Sequence, residues 1–188
     1  MCTLKALFLL YDGYVEWEIS TLSYLLRVCD VEVETISLNN EVKNTGNFNI
    51  KVDMLIDDCQ VDDYDILIIP GGEPFPVIKE EKCLRLIQRF NEKKKWIAAI
   101  CGASIILGAA NVLGERNYST SVEGLEFAEY LNPQFKSEAD VTVCENVITA
   151  EGNAYVEFAV AVAKQLKIFK DREDELETVL YFKNQLRA

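Results

Sequence analysis

The sequence specifies an α/β fold: a mainly parallel sheet with helices on both faces, a three-layer sandwich. Two observations carry this. Several strands are near-continuous apolar runs, the pattern of a strand buried on both sides. These runs alternate along the chain with segments of helical periodicity, and such alternation builds parallel strands joined by helical crossovers.

The elements follow in order. Leu4 to Tyr11 (LKALFLLY) is the first buried strand, closed by the turn Asp12-Gly13. Glu16 to Val28 places Trp17, Leu22, Leu25, Leu26 and Val28 at helical spacing. Val31 to Leu38 alternates as a second strand, Asn39 to Asn49 reads as a polar turn region, and Ile50 to Ile56 as a short extra strand. Asp57, Asp58, Asp62, Asp63 and Asp65 form an acidic rim whose spacing does not match a calcium loop. Ile66 to Ile69 is an apolar strand ended by Pro70-Gly71-Gly72. Leu84, Ile87 and Phe90 give the next helix its inner face. Lys93-Lys94-Lys95 lies near that helix's C-terminus, where cations complement the dipole. Trp96 to Ile100 is a strand, and a small-residue helix runs from Cys101-Gly102-Ala103-Ser104 to Ala110. Glu123 to Leu131 reads as helical. Val141 to Cys144 and Val147 to Ala150 read as strands joined by a tight turn at Glu145-Asn146. Tyr155 to Leu166 is an apolar helix. Asp171 to Leu186 is a final amphipathic helix with Leu176, Val179, Leu180 and Leu186 on one side. With no linker or composition break, residues 1–188 read as one domain, long enough to bury a sizeable core.

Composition narrows the chemistry. The chain has 19 basic and 31 acidic side chains and a formal charge of −12, which argues against a nucleic-acid footprint. It has no histidine. A Ser-His-Asp triad, a Cys-His pair, a His-ligated metal and an imidazole pH switch are all excluded within the chain. Its six cysteines, Cys2, Cys29, Cys59, Cys83, Cys101 and Cys144, form no close pair, so zinc ribbons and C-x-x-C redox motifs are absent. The apolar run Ala6 to Tyr11 is too short for a signal-peptide core, and no run reaches the roughly 20 residues of a membrane span. The expectation is a cytoplasmic protein with reduced thiols, no metal and no cofactor.

In a doubly wound sheet, ligands bind beyond the carboxyl ends of the strands. Three turns there stand out: Asp12 to Glu18, Pro70 to Pro74, and Ile100 to Ser104. In the third, a cysteine sits at a strand-to-helix turn among Ala98, Ala99, Gly102 and Ala103. That is a nucleophile-elbow pattern, in which free helix N–H groups lower a thiol pKa. A buried structural cysteine fits these local residues equally well. Glu18, one turn into the first helix, is either a surface carboxylate favoured by the helix dipole or a protonated carboxyl donating to the sulfur. Trp17 beside it would help to keep the site dry. Pattern alone does not choose between the two roles of Glu18.

Together the three turns resemble the ThiJ/PfpI family, the superfamily that includes the Parkinson-associated protein deglycase. The matching segments are Asp12-Gly13-Tyr14-Val15-Glu16-Trp17-Glu18, Pro70-Gly71-Gly72, Ala99-Ile100-Cys101-Gly102, and a fourth, Thr149-Ala150-Glu151-Gly152-Asn153-Ala154 followed by Glu157-Phe158-Ala159. The resemblance implies a flavodoxin-like sandwich, usually dimeric, with a nucleophile elbow. It implies Cys101 as nucleophile, Glu18 as the carboxyl bonded to it, and the backbone N–H groups of Gly72 and Gly102 as oxyanion donors. Gly71, Trp17, Tyr118 and Asn153 are expected to line the site. The departure from the family is the imidazole: Gly102 follows the cysteine, and Tyr118 stands where other members place histidine, read as a packed or surface tyrosine. The implied activity is glyoxalase-like or deglycase-like chemistry on small reactive carbonyls or their adducts, through a Cys-Glu dyad. The alternatives are a cysteine-based oxidative-stress sensor, whose partner is an oxidant, and a non-catalytic binding protein. Protease and glutamine amidotransferase activities, which use Cys-His, are disfavoured. A homodimer is expected, with no nucleic-acid or membrane partner.

Overall fold

The computed structural model describes residues 3–124 and 127–185. Its main sheet has seven strands: β1 (Lys5–Leu9), β2 (Glu32–Ser37), β5 (Met54–Leu55), β6 (Ile66–Ile69), β7 (Trp96–Ile100), β8 (Val141–Cys144) and β9 (Val147–Ala150). Their spatial order is β5-β2-β1-β6-β7-β9-β8, with β8 the antiparallel member. β3 (Glu41–Lys43) and β4 (Asn49–Lys51) form a separate hairpin. The helices are α1 (Trp17–Val28), α2 (Glu81–Glu92), α3 (Ala103–Ala109), α4 (Tyr155–Gln165) and α5 (Arg172–Phe182). α1 and α4 pack together on one face of the sheet, and α2 and α3 on the other. This is the flavodoxin-like three-layer sandwich. Among the described residues no helix is long and apolar enough to cross a membrane.

The central strands are buried for the reason their sequences suggest. All four residues of β6, and β7 beyond Trp96, lie between two helical layers. The chain leaves β1 towards β2 on one side and returns to β6 on the other, so the sheet reverses direction between β1 and β6. Such a reversal opens a crevice at the carboxyl ends of the strands. The turns after β1, β6, β7 and β9 all emerge at that edge because these strands are parallel neighbours.

Four elements differ from expectation. The region 39–49, read as a turn, holds β3 and the hairpin turn into β4. One buried residue, Val42, anchors a pair too short to show alternation, and Asn44 Oδ1 accepts the Phe48 N–H at 2.9 Å. The expected strand over 50–56 is split between β4 and β5. Asp53 Oδ2 accepts both the N–H and the hydroxyl of Thr35, at 2.8 and 2.7 Å, and bends the chain there. In 123–131 the described residues form turns rather than an α-helix, with Leu131 N–H reaching Phe127 O at 2.8 Å. Gly124, with φ of +100°, breaks the path, and Leu125 and Glu126 lie outside the described residues. α5 is shorter than expected and buries no residue fully, and Leu176 on its expected apolar side is 56% exposed. Leu186 lies outside the described residues. Polar clamps hold α5 to α4: Lys164–Glu175 at 2.9 Å, and Lys183 with Glu157. The lysine run after α2 also does more than complement a dipole. Lys93 pairs with Asp62 of the acidic rim, and Lys95 donates to the carbonyls of Asp62 and Tyr64.

Helices α1 to α5 end alike. Asp30, Lys94, Asn111, Lys167 and Asn184 follow them with φ between 54° and 58°, and the next N–H bonds back across the last turn. These are Schellman ends closed without glycine. A left-handed conformation costs a residue with a Cβ about 1–2 kcal/mol. Lys167 is exposed and makes no side-chain bond among the described residues. Lys167→Gly is therefore expected to stabilise the fold by about 1 kcal/mol, raising Tm by about 2–4 °C in thermal unfolding.

Candidate active site

Four turns converge on Cys101. The residue caps β7 in a left-handed conformation, φ 59°, and α3 begins immediately beyond it. Its N–H is held by Ala150 O at 2.8 Å, and its carbonyl lies 3.1 Å from the hydroxyl oxygens of both Ser104 and Thr120. Those two oxygens are 2.6 Å apart, so one hydroxyl donates to the carbonyl and the other donates to its neighbour. This left-handed backbone is held in place by the Ala150 carbonyl and the Ser104–Thr120 hydroxyl pair.

Glu18 lies in the first turn of α1, yet it is only 2% exposed. It therefore points into the crevice, not to solvent. Its Oε2 accepts the Gly71 N–H at 2.8 Å, and its carboxyl lies beside Cys101. Two glycines make room for it. A Cβ on Gly71 would lie 2.5 Å from Glu18 Oε2 and 2.6 Å from Cys101 Cβ. One on Gly152 would lie 2.9 Å from Glu18 Oε1 and 3.0 Å from Cys101 Sγ. Burial pushes Glu18 up to about 7, against the pull of its bonds to Cys101 and Gly71.

The thiol does not follow the elbow expectation. Burial, then the charge and hydrogen bond of Glu18, push Cys101 up to about 11, while the Gly102 N–H and Ser121 pull it down. The elbow's donors act as expected, but desolvation beside a carboxylate outweighs them. Such a pair holds one negative charge and one shared proton once it first ionises, with carboxylate–thiol and carboxyl–thiolate as its two forms.

Gly72 has φ of +124°, and a Cβ there would meet Gly13 O at 2.2 Å, so only glycine fits. Val15 N–H to Gly71 O at 2.9 Å and Glu73 N–H to Gly13 O at 3.4 Å join the two turns and leave the Gly72 N–H outside that bridge. A Cβ on Gly102 would lie 3.1 Å from Gly72 O, so the two glycines face each other. Trp17 is 49% exposed and rests edge-on against Tyr155 at 5.5 Å, at the rim of the crevice. Asn153 is exposed in the single turn before α4. Tyr118 is buried, with its hydroxyl donating to Asn132 O at 3.1 Å. It lines a cavity of about 350 Å³ with Thr120, Val122, Phe127, Leu131 and Lys136.

Other polar residues reach the site unannounced by the sequence reading. Tyr11 donates to Pro70 O at 2.7 Å and so fixes the glycine turn. Thr120 and Ser121 lie just past Tyr118: Thr120 bonds the Cys101 carbonyl, and Ser121 Oγ accepts the Gly152 N–H at 2.7 Å. The run Ser119-Thr120-Ser121 was the available signal, three hydroxyls between an elbow helix and a strand.

This geometry defines a class: an α/β protein with a cysteine at the strand-to-helix turn after β7, at the carboxyl edge of the sheet, and a buried carboxyl beside its thiol. Residues 4–165 match the DJ-1/PfpI family, and the chain belongs to it. The Bacillus subtilis protein "Uncharacterized protease YoaZ" is 30% identical over 164 residues, covering 84% of this chain and 77% of that protein. The Pyrococcus furiosus protein "Deglycase PfpI" is 30% identical over 124 residues, covering 65% of this chain and 74% of its own. The crystal structure of the DJ-1 superfamily protein Atu0886 from Agrobacterium tumefaciens has a TM-score of 0.86 at 24% identity, covering 98% and 100% of the two chains.

The raised Glu18 pKa sets a pH dependence of stability. Below 4.5 the carboxyl is protonated in both the folded and the unfolded chain. Between 4.5 and about 7 the unfolded chain loses this proton first, so stability falls as pH rises. A glutamine side chain at this position cannot titrate. Glu18→Gln is expected to stabilise the protein at pH 8 by roughly 2 to 3 kcal/mol more than at pH 5, measured by denaturant unfolding at both pH values.

Proposed function

We propose that the protein acts on small reactive carbonyls or their amine or thiol adducts, with Cys101 as nucleophile and Glu18 as proton carrier. The observation that carries this reading is the buried Glu18 against the Cys101 sulfur, a carboxyl poised near pH 7 to take and return one proton. A proton moves from Cys101 to Glu18, and the sulfur adds to the carbonyl carbon. The carbonyl π pair passes to oxygen, and the backbone N–H groups of Gly72 and Gly102 are the donors assigned to it. Glu18 then returns its proton to that oxygen, giving a neutral thiohemiacetal. The deglycase name of the Pyrococcus relative supports the substrate class. The protease name of the Bacillus relative carries no mechanism here, because a chain without histidine cannot form Cys-His.

A second reading, a peroxide-responsive sensor, is favoured by the same sulfur lying between hydrogen-bond donors. Its mark is selective conversion of Cys101 to sulfinic acid by mild peroxide, read by peptide mass spectrometry.

Purified protein is expected to consume methylglyoxal, and Cys101→Ser to abolish this; equal rates in the two proteins would overturn the assignment. The reactive singly charged pair forms as the first proton leaves. The wild-type kcat/KM is therefore expected to rise with pH through about 7. In Glu18→Gln that inflection moves upward, towards ionisation of the buried thiol itself. The family reading also supports a homodimer, for which light scattering is expected to give twice the 21.3 kDa chain mass.

A further inference from the structure

We propose that Ser121 is a catalytic hydroxyl of this site, donating its hydrogen bond to Cys101 Sγ. This deepens the proposed function and supplies a polar contact to sulfur in a chain that has no imidazole.

The geometry turns on what Ser121 Oγ already does. It accepts the Gly152 N–H at 2.7 Å. A hydroxyl has one proton and two lone pairs. Holding the oxygen by a backbone donor leaves that proton to serve another acceptor. Gly152 is also the residue against which the reacting groups lie, since a Cβ there would be 3.0 Å from Cys101 Sγ and 2.9 Å from Glu18 Oε1. One glycine thus spaces the thiol and the carboxyl and anchors the hydroxyl. The neighbouring Thr120 fixes the segment: its Oγ1 bonds the Cys101 carbonyl and Ser104, and accepts the Val122 N–H at 3.1 Å. Ser121 itself is exposed at the mouth of the crevice, where an incoming substrate meets the sulfur.

The other ionisable groups facing the thiol are Glu18 from α1 and Tyr11 at the end of β1. The Tyr11 proton is committed to Pro70 O. Ser121 is therefore the hydroxyl placed to stabilise sulfur while Glu18 holds the proton, and it pulls the thiol pKa down. In the addition step Ser121 keeps its own proton. As the sulfur lone pair forms the carbon–sulfur bond and the π pair moves to oxygen, the Ser121 hydrogen bond passes from sulfur to the new alkoxide. Glu18 supplies the proton that neutralises that oxygen.

The test is the pH profile of Cys101 alkylation by iodoacetamide, read at the Cys101 peptide by mass spectrometry, in wild type, Ser121→Ala, Ser121→Thr and Ser121→Val. The apparent pKa is expected to rise by about one unit in Ser121→Ala, an alkylation rate about fivefold lower at pH 7. Thr and Val share a shape and differ in the hydroxyl, so they decide the matter even if alanine disturbs the Gly152 turn. Recovery of the wild-type profile in Ser121→Thr but not in Ser121→Val supports the assignment. Identical profiles for Thr and Val, or a Ser121→Ala profile unchanged from wild type, overturn it. Methylglyoxal turnover separates this inference from the reading it rests on. If wild type does not turn over methylglyoxal while the alkylation shift persists, the carbonyl substrate is wrong and the Ser121 bond to sulfur stands.

Discussion

The burial of Glu18 against Cys101 is the constraint around which the rest of the site is arranged. A carboxyl taken out of water at the first turn of a helix is costly unless it is hydrogen-bonded or protonated. Here it has the Gly71 N–H, the Cys101 sulfur and a pKa pushed up to about 7. The glycines follow from that placement. Gly71 and Gly152 have no side chains because a Cβ on either would fall onto the carboxyl and the cysteine. The left-handed backbone of Cys101 follows as well, since it turns the sulfur back towards the carboxyl while its carbonyl is held by the Ser104–Thr120 hydroxyl pair. Stability has been given up for this pair in the neutral range, a common trade at functional sites.

The scaffold makes that strain tolerable. Four parallel strands end at one edge, so four turns meet without long loops, and backbone bonds lock the turns to each other. Tyr11 ties the end of β1 to Pro70, Val15 ties α1's approach to Gly71, and Ala150 ties β9 to Cys101. Helices α1 to α5 use left-handed residues other than glycine at their C-terminal ends. The fold thus carries small unfavourable backbone contributions throughout and offsets them by an apolar core that runs through the whole sheet.

The family match ends at residue 165, so α5 lies beyond it. It is held on α4 by ion pairs and partial apolar contact and not by a buried stripe. Its hydrophobic residues looked like a core-facing side in the sequence. Leu176 is exposed and Val179 and Leu180 are half-buried, because α4 already covers the sheet and leaves α5 only a helix surface to rest on.

The architecture and the identity of the central pair were written in the chain itself. Doubly buried strands can be written only with apolar runs, and turns without room for a Cβ only with glycine, so β1, β6, β7, Gly71 and Gly72 were legible as patterns. Cys101 stood out at a strand-to-helix turn, while pattern left two roles open for Glu18 and only the family resemblance of the turns paired it with the cysteine. The short β3–β4 hairpin was not, because a pair with one buried residue shows no period. The electrostatics and the companions of the thiol came from the packing of distant segments. Whether a helix N-terminus lowers a thiol pKa depends on how much water and which charges surround it, and burial beside Glu18 reversed the direction expected from the elbow. Tyr11, Gly152, Thr120 and Ser121 come from segments far from Cys101 in the chain and meet it through the parallel register and the loop packing. No local pattern encodes such a meeting, because it is a property of distances between segments.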